Sequence, residues 1–131
     1  MIPSMCAEKY SKPNVLLVED DVVLASILTS IFYEFDAEVV AVSTAREGVG
    51  LLGCHDWAVI MTDVRTPGGV SGFELAQQAE LQCPKAIVIV SSGYYDSSEM
   101  LTLERALFFS KPWDLEALMN ALGLAFTLGS N

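Results

Sequence analysis

Basic residues are scarce in this chain, in which seven Lys and Arg face seventeen Asp and Glu for a formal net charge of -10. Non-specific binding to nucleic acid relies on Lys and Arg that reach phosphates, and attachment to an anionic membrane surface needs the same cations. The charge balance therefore argues against both functions. It suits an acidic site that attracts a divalent cation.

Cysteines and long apolar runs are also few. The chain has three cysteines, Cys6, Cys54 and Cys83, and no C-x-x-C pair. Neither a disulfide framework nor a zinc site is therefore expected. No apolar run approaches the roughly 20 residues of a membrane helix. Residues 1–13 lack the apolar region of a signal peptide. We expect them to form a flexible tail before one domain at residues 14–128, in a reducing cytoplasm.

The sequence does contain a regular series of short apolar runs. Unbroken runs of this kind are typical of parallel strands that are buried on both faces. They occupy residues 15–18, 38–42, 58–61, 86–90 and 107–109. We therefore predict five strands.

Helical patterns lie between these runs. Apolar residues spaced by three and four cover residues 24–35, and capping-box patterns begin at Thr44, for a helix to about Gly53, and at Ser71. Asp96 is a candidate cap for a fourth helix that passes through Leu103, and Asp114 for a fifth. Alternating strands and helices predict an α/β fold. In a chain of this length we expect a doubly wound, flavodoxin-like (βα)5 parallel sheet with strand order 2-1-3-4-5.

Polar residues follow four of the five predicted strands. Open parallel sheets bind ligands at the carboxyl ends of their strands, so these residues are expected to meet at one edge. They are Glu19-Asp20-Asp21 after the first strand, Asp63 after the third, Ser91-Ser92 after the fourth and Ser110-Lys111 after the fifth.

Such a set of groups has a specific chemistry. Carboxylates that lie together repel one another, and a hard cation such as Mg²⁺, which prefers oxygen ligands, removes that repulsion. A carboxylate in this setting can attack a phosphoryl group, while a metal and a Lys offset charge on the transferred oxygens. Each residue alone also fits an ordinary helix start, turn or solvated surface position. Their occurrence at four strand ends of one edge favours a site.

Four motifs in this order resemble the response-regulator receiver family of two-component signalling, which includes the chemotaxis regulators. The resemblance covers about residues 14–126. The motifs are LLVEDD at 16–21, MTDVRTP at 61–67, VSSGY at 90–94 and FSKPW at 109–113.

The resemblance implies a role for individual residues in this chain. Asp63 would accept phosphate from a histidine kinase or a phosphotransfer protein. Mg²⁺ would be bound by Asp20, Asp63 and the backbone carbonyl of Arg65, with Glu19 acting mostly through water. Ser92 would supply the switch hydroxyl, and Lys111, which precedes a cis bond to Pro112, would supply a phosphate-binding ammonium. Phe108 would be the aromatic residue whose rotamer follows phosphorylation.

The resemblance further implies a signalling switch rather than an enzyme. It would act on a downstream protein target through the fourth predicted helix, the fifth strand and the fifth helix, a surface that also offers a homodimer contact. No contact with nucleic acid or membrane is expected.

The chain departs from the family pattern in two places. Gly68-Gly69 adds a residue after Pro67, so the loop beside Asp63 is expected to be wider and more mobile. The stretch from Ser92 to Lys111 is short and lacks the usual Gly-Ala step before the fifth strand.

Three alternatives stay open at this point. One is a pseudo-receiver that binds partners without being phosphorylated. Another is a Mg²⁺-dependent phosphohydrolase, although no second acid lies two residues after Asp63, where Arg65 stands. A flavodoxin-like electron carrier is the most distant, because the acidic loop after the first strand would repel an FMN phosphate.

Overall fold

The computed structural model describes residues 12–92, 102–111 and 115–129. Five parallel strands form one sheet in the order β2-β1-β3-β4-β5, which confirms the predicted doubly wound topology. The strands are β1 (Asn14–Val18), β2 (Glu38–Val42), β3 (Trp57–Asp63), β4 (Ile87–Ser92) and β5 (Leu107–Ser110).

Four helices occur among the described residues. They are α1 (Val22–Glu34), α2 (Ala45–Leu51), α3 (Gly72–Gln82) and α4 (Leu115–Gly129), the last of which corresponds to the fifth predicted helix. The fourth predicted helix falls mainly on residues 93–101, outside the described residues. Leu103, which that prediction included, lies just before β5 and is not helical.

The sheet separates two apolar cores because neighbouring side chains on a strand point to opposite faces. On β1, Leu16 and Val18 pack into one core and Val15 and Leu17 into the other. The first core includes α2 and α3 residues and the second α1 and α4 residues, so helices cover both faces. This burial on both faces explains why the strands read as unbroken apolar runs.

Polar side chains fix where three helices begin. The Asp21 carboxylate accepts hydrogen bonds from the N–H groups of Val23 and Leu24 at 2.9 and 3.1 Å, which caps α1. Thr44 caps α2, and Ser71 forms the predicted capping box of α3. The acidic segment after β1 thus supplies a helix cap at Asp21 as well as site residues.

The helix α2 ends at Leu51, two residues before the predicted end at Gly53. The Leu51 carbonyl at this helix end accepts hydrogen bonds from the Cys54 N–H at 3.0 Å and from the Trp57 indole N–H at 3.1 Å. Leu52 then turns into the core and is buried.

The segment before β5 is anchored to the end of α3. The Glu80 carboxylate accepts hydrogen bonds from the backbone N–H groups of Glu104, Arg105 and Ala106 at 2.7–3.1 Å. In return, the Arg105 guanidinium donates to the carbonyls of Glu80 and Cys83 at 3.0 and 2.9 Å. This reciprocal set of bonds fixes the start of β5 in a chain that lacks the family's Gly-Ala step.

Within the part of the chain that the structure describes, no helix has both the length and the apolar character to span a membrane.

Candidate functional site

The candidate site lies at the carboxyl ends of neighbouring central strands. Val18 of β1 and Thr62 of β3 are partners in the parallel register, so Glu19 and Asp63 leave their strands at the same level. Asp20 follows Glu19 directly, and Lys111 follows the last residue of β5. The topology therefore brings residues from three strands to one edge of the sheet, as the sequence predicted.

Three carboxylates meet at this edge. One oxygen from each of Glu19, Asp20 and Asp63 lies within 4.8 Å of the others. Their exposure differs, because Glu19 is buried, Asp63 is partly buried and Asp20 is open to solvent. The cluster is thus accessible from the Asp20 side and closed from the Glu19 side.

One ammonium group joins two of these carboxylates. Lys111 Nζ lies 3.2 Å from Glu19 Oε1 and 3.3 Å from Asp63 Oδ2. The side chains are 24%, 3% and 14% exposed for Lys111, Glu19 and Asp63, so water screens these ion pairs only partly. The Lys111 ammonium is thus shared by two carboxylates.

Burial and neighbouring charges shift the pKa values of three of these groups. Burial is the main cause that raises the pKa of Asp63, and it outweighs the attraction of Lys111, while the charge of Asp20 raises the pKa further. Burial also raises the pKa of Glu19, against the hydrogen bond from the Asp21 N–H. Burial alone would lower the pKa of Lys111, but the charges of Asp63 and Glu19 raise it above its usual value.

The donor set fits a divalent cation such as Mg²⁺. All three side chains offer oxygen atoms, which Mg²⁺ prefers, and Asp20 leaves room for the waters that this ion keeps. A bound cation would also offset the repulsion among the ionised carboxylates. Glu19 already holds its second oxygen in a hydrogen bond from the Asp21 N–H at 3.1 Å, which fixes its orientation.

Backbone contacts hold Asp63 in place. The hydroxyl of Thr62 donates to the Asp63 carbonyl at 2.8 Å, and the Val64 N–H donates to the Ser91 carbonyl at 3.0 Å. Gly72, at the start of α3, lies against the Asp63 carbonyl. A Cβ built at Gly72 would collide with that oxygen. Gly72 was not predicted as a site residue, although its place one residue after the helix cap Ser71 was a usable signal.

We call residues 64–70 the acceptor loop, since they connect Asp63 to the cap of α3. Gly68 and Gly69 adopt positive φ angles of 102° and 84°, which glycine tolerates without strain. The extra residue does not leave the loop unattached. The Arg46 guanidinium of α2 donates to the Gly68 carbonyl from Nε and Nη2 at 3.0 and 2.7 Å.

The remaining predicted residues lie on or beside the last two strands. Ser92 ends β4 and pairs with Ser110 of β5 in the parallel register, but its side chain is outside the described part of the structure. Phe108 is partly buried, packs against the α2–α3 core and lies 6.5 Å from the Phe73 ring, centroid to centroid. Pro112, and with it the predicted cis bond, is also outside the described residues.

Comparison with known proteins agrees with this geometry. The family model for the response regulator receiver domain matches residues 15–123. The hydrogenase transcriptional regulatory protein HoxA of Cupriavidus necator is 30% identical over 113 residues, which are 83% of this chain and 23% of that protein. The chain therefore spans less than a quarter of the length of this curated relative.

Solved receiver domains share the fold at low sequence identity. The signal receiver domain of an HD domain-containing protein from Pseudomonas fluorescens Pf-5 has a TM-score of 0.79 at 22% identity, with 92% of this chain and 91% of that chain covered. The receiver domain of a sensor histidine kinase from Pseudomonas aeruginosa PAO1, which holds a magnesium ion in its active-site cleft, has a TM-score of 0.76 at 17% identity, with 88% and 98% covered. The family match over residues 15–123, together with the fold and the acidic edge, establishes that this chain belongs to the response regulator receiver domain family.

Proposed function

We propose that this chain is a phosphorylation-controlled signalling switch whose phosphoacceptor is Asp63. The observation that carries the proposal is that the Asp63 carboxylate contacts the Lys111 ammonium and also belongs to the carboxylate cluster with Glu19 and Asp20. This arrangement holds a nucleophilic oxygen beside a fixed cation and beside the oxygen ligands of a divalent metal.

The proposed step is transfer of a phosphoryl group from a phosphohistidine to Asp63. A carboxylate oxygen of Asp63 forms a bond to phosphorus while the phosphorus–nitrogen bond breaks, and the electron pair of that bond returns to the imidazole. The Lys111 ammonium offsets negative charge on the phosphoryl oxygens. Mg²⁺, held by Asp20, Asp63 and the Arg65 carbonyl with Glu19 acting mostly through water, would supply further charge stabilisation when bound.

The proposed response follows from residues on β4 and β5. The Ser92 hydroxyl would donate a hydrogen bond to the phosphoryl group, and Phe108 would change rotamer with it, which favours a second conformation of the protein. The surface expected to change contains the β4–β5 connection, β5 and α4. It would bind a downstream protein or a second copy of the chain.

We propose that residues 14–128 form the receiver domain and that residues 1–13 form a tail before it. The proposed location is the cytoplasm. The phosphate would come from a histidine kinase or a phosphotransfer protein. The switch would hold the phosphoryl group rather than turn over a substrate, because Arg65 stands two residues after Asp63, where a phosphohydrolase would need a second acid. Direct binding to nucleic acid or membrane is not part of the proposal.

The test is incubation with acetyl phosphate in the presence of Mg²⁺, followed by intact mass measurement and an assay for released inorganic phosphate. We expect one phosphoryl group per chain, and none when a chelator removes Mg²⁺ before the donor is added. No incorporation would support the pseudo-receiver instead. Continuous release of phosphate from a generic phosphate ester would support the phosphohydrolase.

The docking step has a separate test. Affinity for a cognate partner is measured with and without a beryllofluoride mimic of the phosphoryl group. A coupling of about 1–3 kcal/mol between the two events is expected for an allosteric switch. Equal affinity in both states would exclude a phosphorylation-gated docking surface.

A further inference from the structure

The first turn of α2 holds the acceptor loop at two points. Arg46 donates to the Gly68 carbonyl from both Nε and Nη2, at 3.0 and 2.7 Å. Thr66 Oγ1 accepts the N–H of Ala45 at 2.8 Å, which satisfies one of the donors left unpaired at a helix start, and donates to the Val70 carbonyl at 3.4 Å. Two consecutive residues of α2 therefore bind two separate points of the loop.

These contacts surround the residue whose carbonyl is a proposed metal ligand. On one side of Arg65, the Val64 N–H donates to the Ser91 carbonyl at 3.0 Å and the Val64 carbonyl accepts the Gly72 N–H at 2.7 Å. On the other side stands Thr66, which is fixed by its bond to α2. The sheet and α3 thus hold the loop before Arg65, and α2 holds it after Arg65.

The loop needs such an external anchor. Gly68 and Gly69 both adopt positive φ angles, and glycine has more backbone conformations to lose than any other residue. The planar guanidinium of Arg46 presents its donors in a fixed arrangement, so it orders the carbonyl at little cost in its own freedom. It also lies over both glycines, since a Cβ built at Gly69 would have Nη2 of Arg46 3.5 Å away.

We infer that Arg46 is a positioning residue for the chemistry proposed at Asp63. By holding the Gly68 carbonyl, and together with the Thr66 bond to Ala45, it restrains the loop segment that carries the Arg65 carbonyl. This inference rests on the proposed function. Arg46 itself touches neither the carboxylates nor the phosphoryl group.

The direction in which the Mg²⁺ affinity changes when Arg46 is replaced distinguishes a positioning role from a purely electrostatic one. Arg46 is a cation, so its removal would by charge alone strengthen the binding of Mg²⁺. Loss of a positioning contact does the opposite, and loss of an outer contact to a metal site weakens affinity by about tenfold or more. The Mg²⁺ affinity of Arg46→Ala, measured by titration calorimetry, is therefore expected to fall about tenfold, at the lower end of that range.

A second variant and a second readout support the comparison. Arg46→Lys keeps the charge but loses the two-pronged donor, so its Mg²⁺ affinity should stay closer to that of Arg46→Ala than to the wild type. In the metal-free protein, hydrogen exchange of the acceptor-loop amides should be faster in both variants. Because Arg46 is on the surface, both variants are expected to keep the wild-type circular dichroism spectrum.

Arg105→Ala is the matched control, since Arg105 also donates to two backbone carbonyls but does so at the end of α3. It removes the same charge before the start of β5, at the edge of the sheet opposite the site, and should leave Mg²⁺ affinity and acceptor-loop exchange unchanged. One outcome overturns the inference but leaves the proposed function standing. In it the wild type takes up phosphate, while Arg46→Ala binds Mg²⁺ as tightly as the wild type or more tightly, or shows unchanged exchange in the acceptor loop. A wild type that binds no Mg²⁺ and takes up no phosphate overturns the proposed function, and this inference with it.

Discussion

The ammonium of Lys111 lies 3.3 Å from the carboxylate of Asp63, although 48 positions separate the two residues in the chain. The parallel sheet creates this contact, because β3 and β5 end at the same edge with β4 between them. The same ammonium lies 3.2 Å from Glu19, so one side chain connects both acidic strand ends.

Loss of this ammonium is expected to destabilise the metal-free protein. In Lys111→Met, two carboxylates that are largely buried lose their counter-charge, and the free energy of unfolding should fall by roughly 1–3 kcal/mol. The value lies below that of a fully buried pair because Lys111 is 24% exposed. Denaturant unfolding measures it, with Lys85→Met as the control on an exposed lysine. Equal effects of the two substitutions would show that the ion pairs contribute nothing measurable.

The stability of the metal-free protein should depend on pH through Glu19 and Asp63. Burial raises both pKa values above their ordinary 4.5 and 3.8, so the folded protein binds these protons more tightly than the unfolded chain. Their stabilising contribution is fully present below the ordinary values and is lost as pH rises through the raised ones. Denaturant unfolding at several pH values in a chelator should show a shallower decline for Glu19→Gln than for the wild type. An identical decline would contradict this role of Glu19.

Mg²⁺ should reverse the pH dependence of stability that the metal-free protein shows. The cation binds the ionised carboxylates, so the stabilisation that it adds to the wild type should grow as pH rises through the raised pKa values of Glu19 and Asp63. Thermal unfolding with and without Mg²⁺ at each pH measures this difference, and Asp20→Ala should reduce it. A stabilisation by Mg²⁺ that is independent of pH and unchanged in Asp20→Ala would place the cation elsewhere.

Gly72 is expected to tolerate no side chain. In Gly72→Ala the new Cβ would meet the Asp63 carbonyl, which can move only if β3 or α3 shifts, so stability should fall by roughly 1–3 kcal/mol or more. Gly50→Ala is the matched control in α2, because nothing lies within 4 Å of a Cβ there. That substitution should stabilise the protein by about 0.5–1 kcal/mol through helix propensity. Thermal unfolding of the two variants compares them, and similar shifts in both would argue against the close contact.

The bonds from Glu80 should control the order of the segment before β5. In Glu80→Ala, the N–H groups of Glu104, Arg105 and Ala106 lose their acceptor, and their amide hydrogen exchange should be faster. Because these groups are near the surface, the loss of stability should be modest, about 1 kcal/mol. Glu116→Ala, at an exposed position of α4, should leave exchange at residues 104–106 unchanged. Unaltered exchange in Glu80→Ala would show that β5 is held by other contacts.

The sheet and the acidic edge were predictable from the sequence for a physical reason. Strands buried on both faces must be apolar throughout, so β1, β3 and β4 appear as short apolar runs, and the parallel order then places their last residues together. Asp20, Asp63 and Lys111 could therefore be assigned to one edge without coordinates.

The contacts that anchor the loops were not predictable in the same way. Arg46 binds Gly68 22 positions away, and Glu80 binds residues 24 to 26 positions away, and in the sequence both look like ordinary exposed helical residues. Such pairings depend on how loops pack, which no local periodicity encodes.

The most direct test of Asp63 as the phosphoacceptor compares the intact mass of three proteins after incubation with a phosphoramidate donor and Mg²⁺. The wild type and Asp56→Asn, which alters an exposed acid away from the site, should each gain one phosphoryl group. Asp63→Asn should gain none while keeping the circular dichroism spectrum of the wild type. Phosphate incorporation that persists in Asp63→Asn would contradict the assignment.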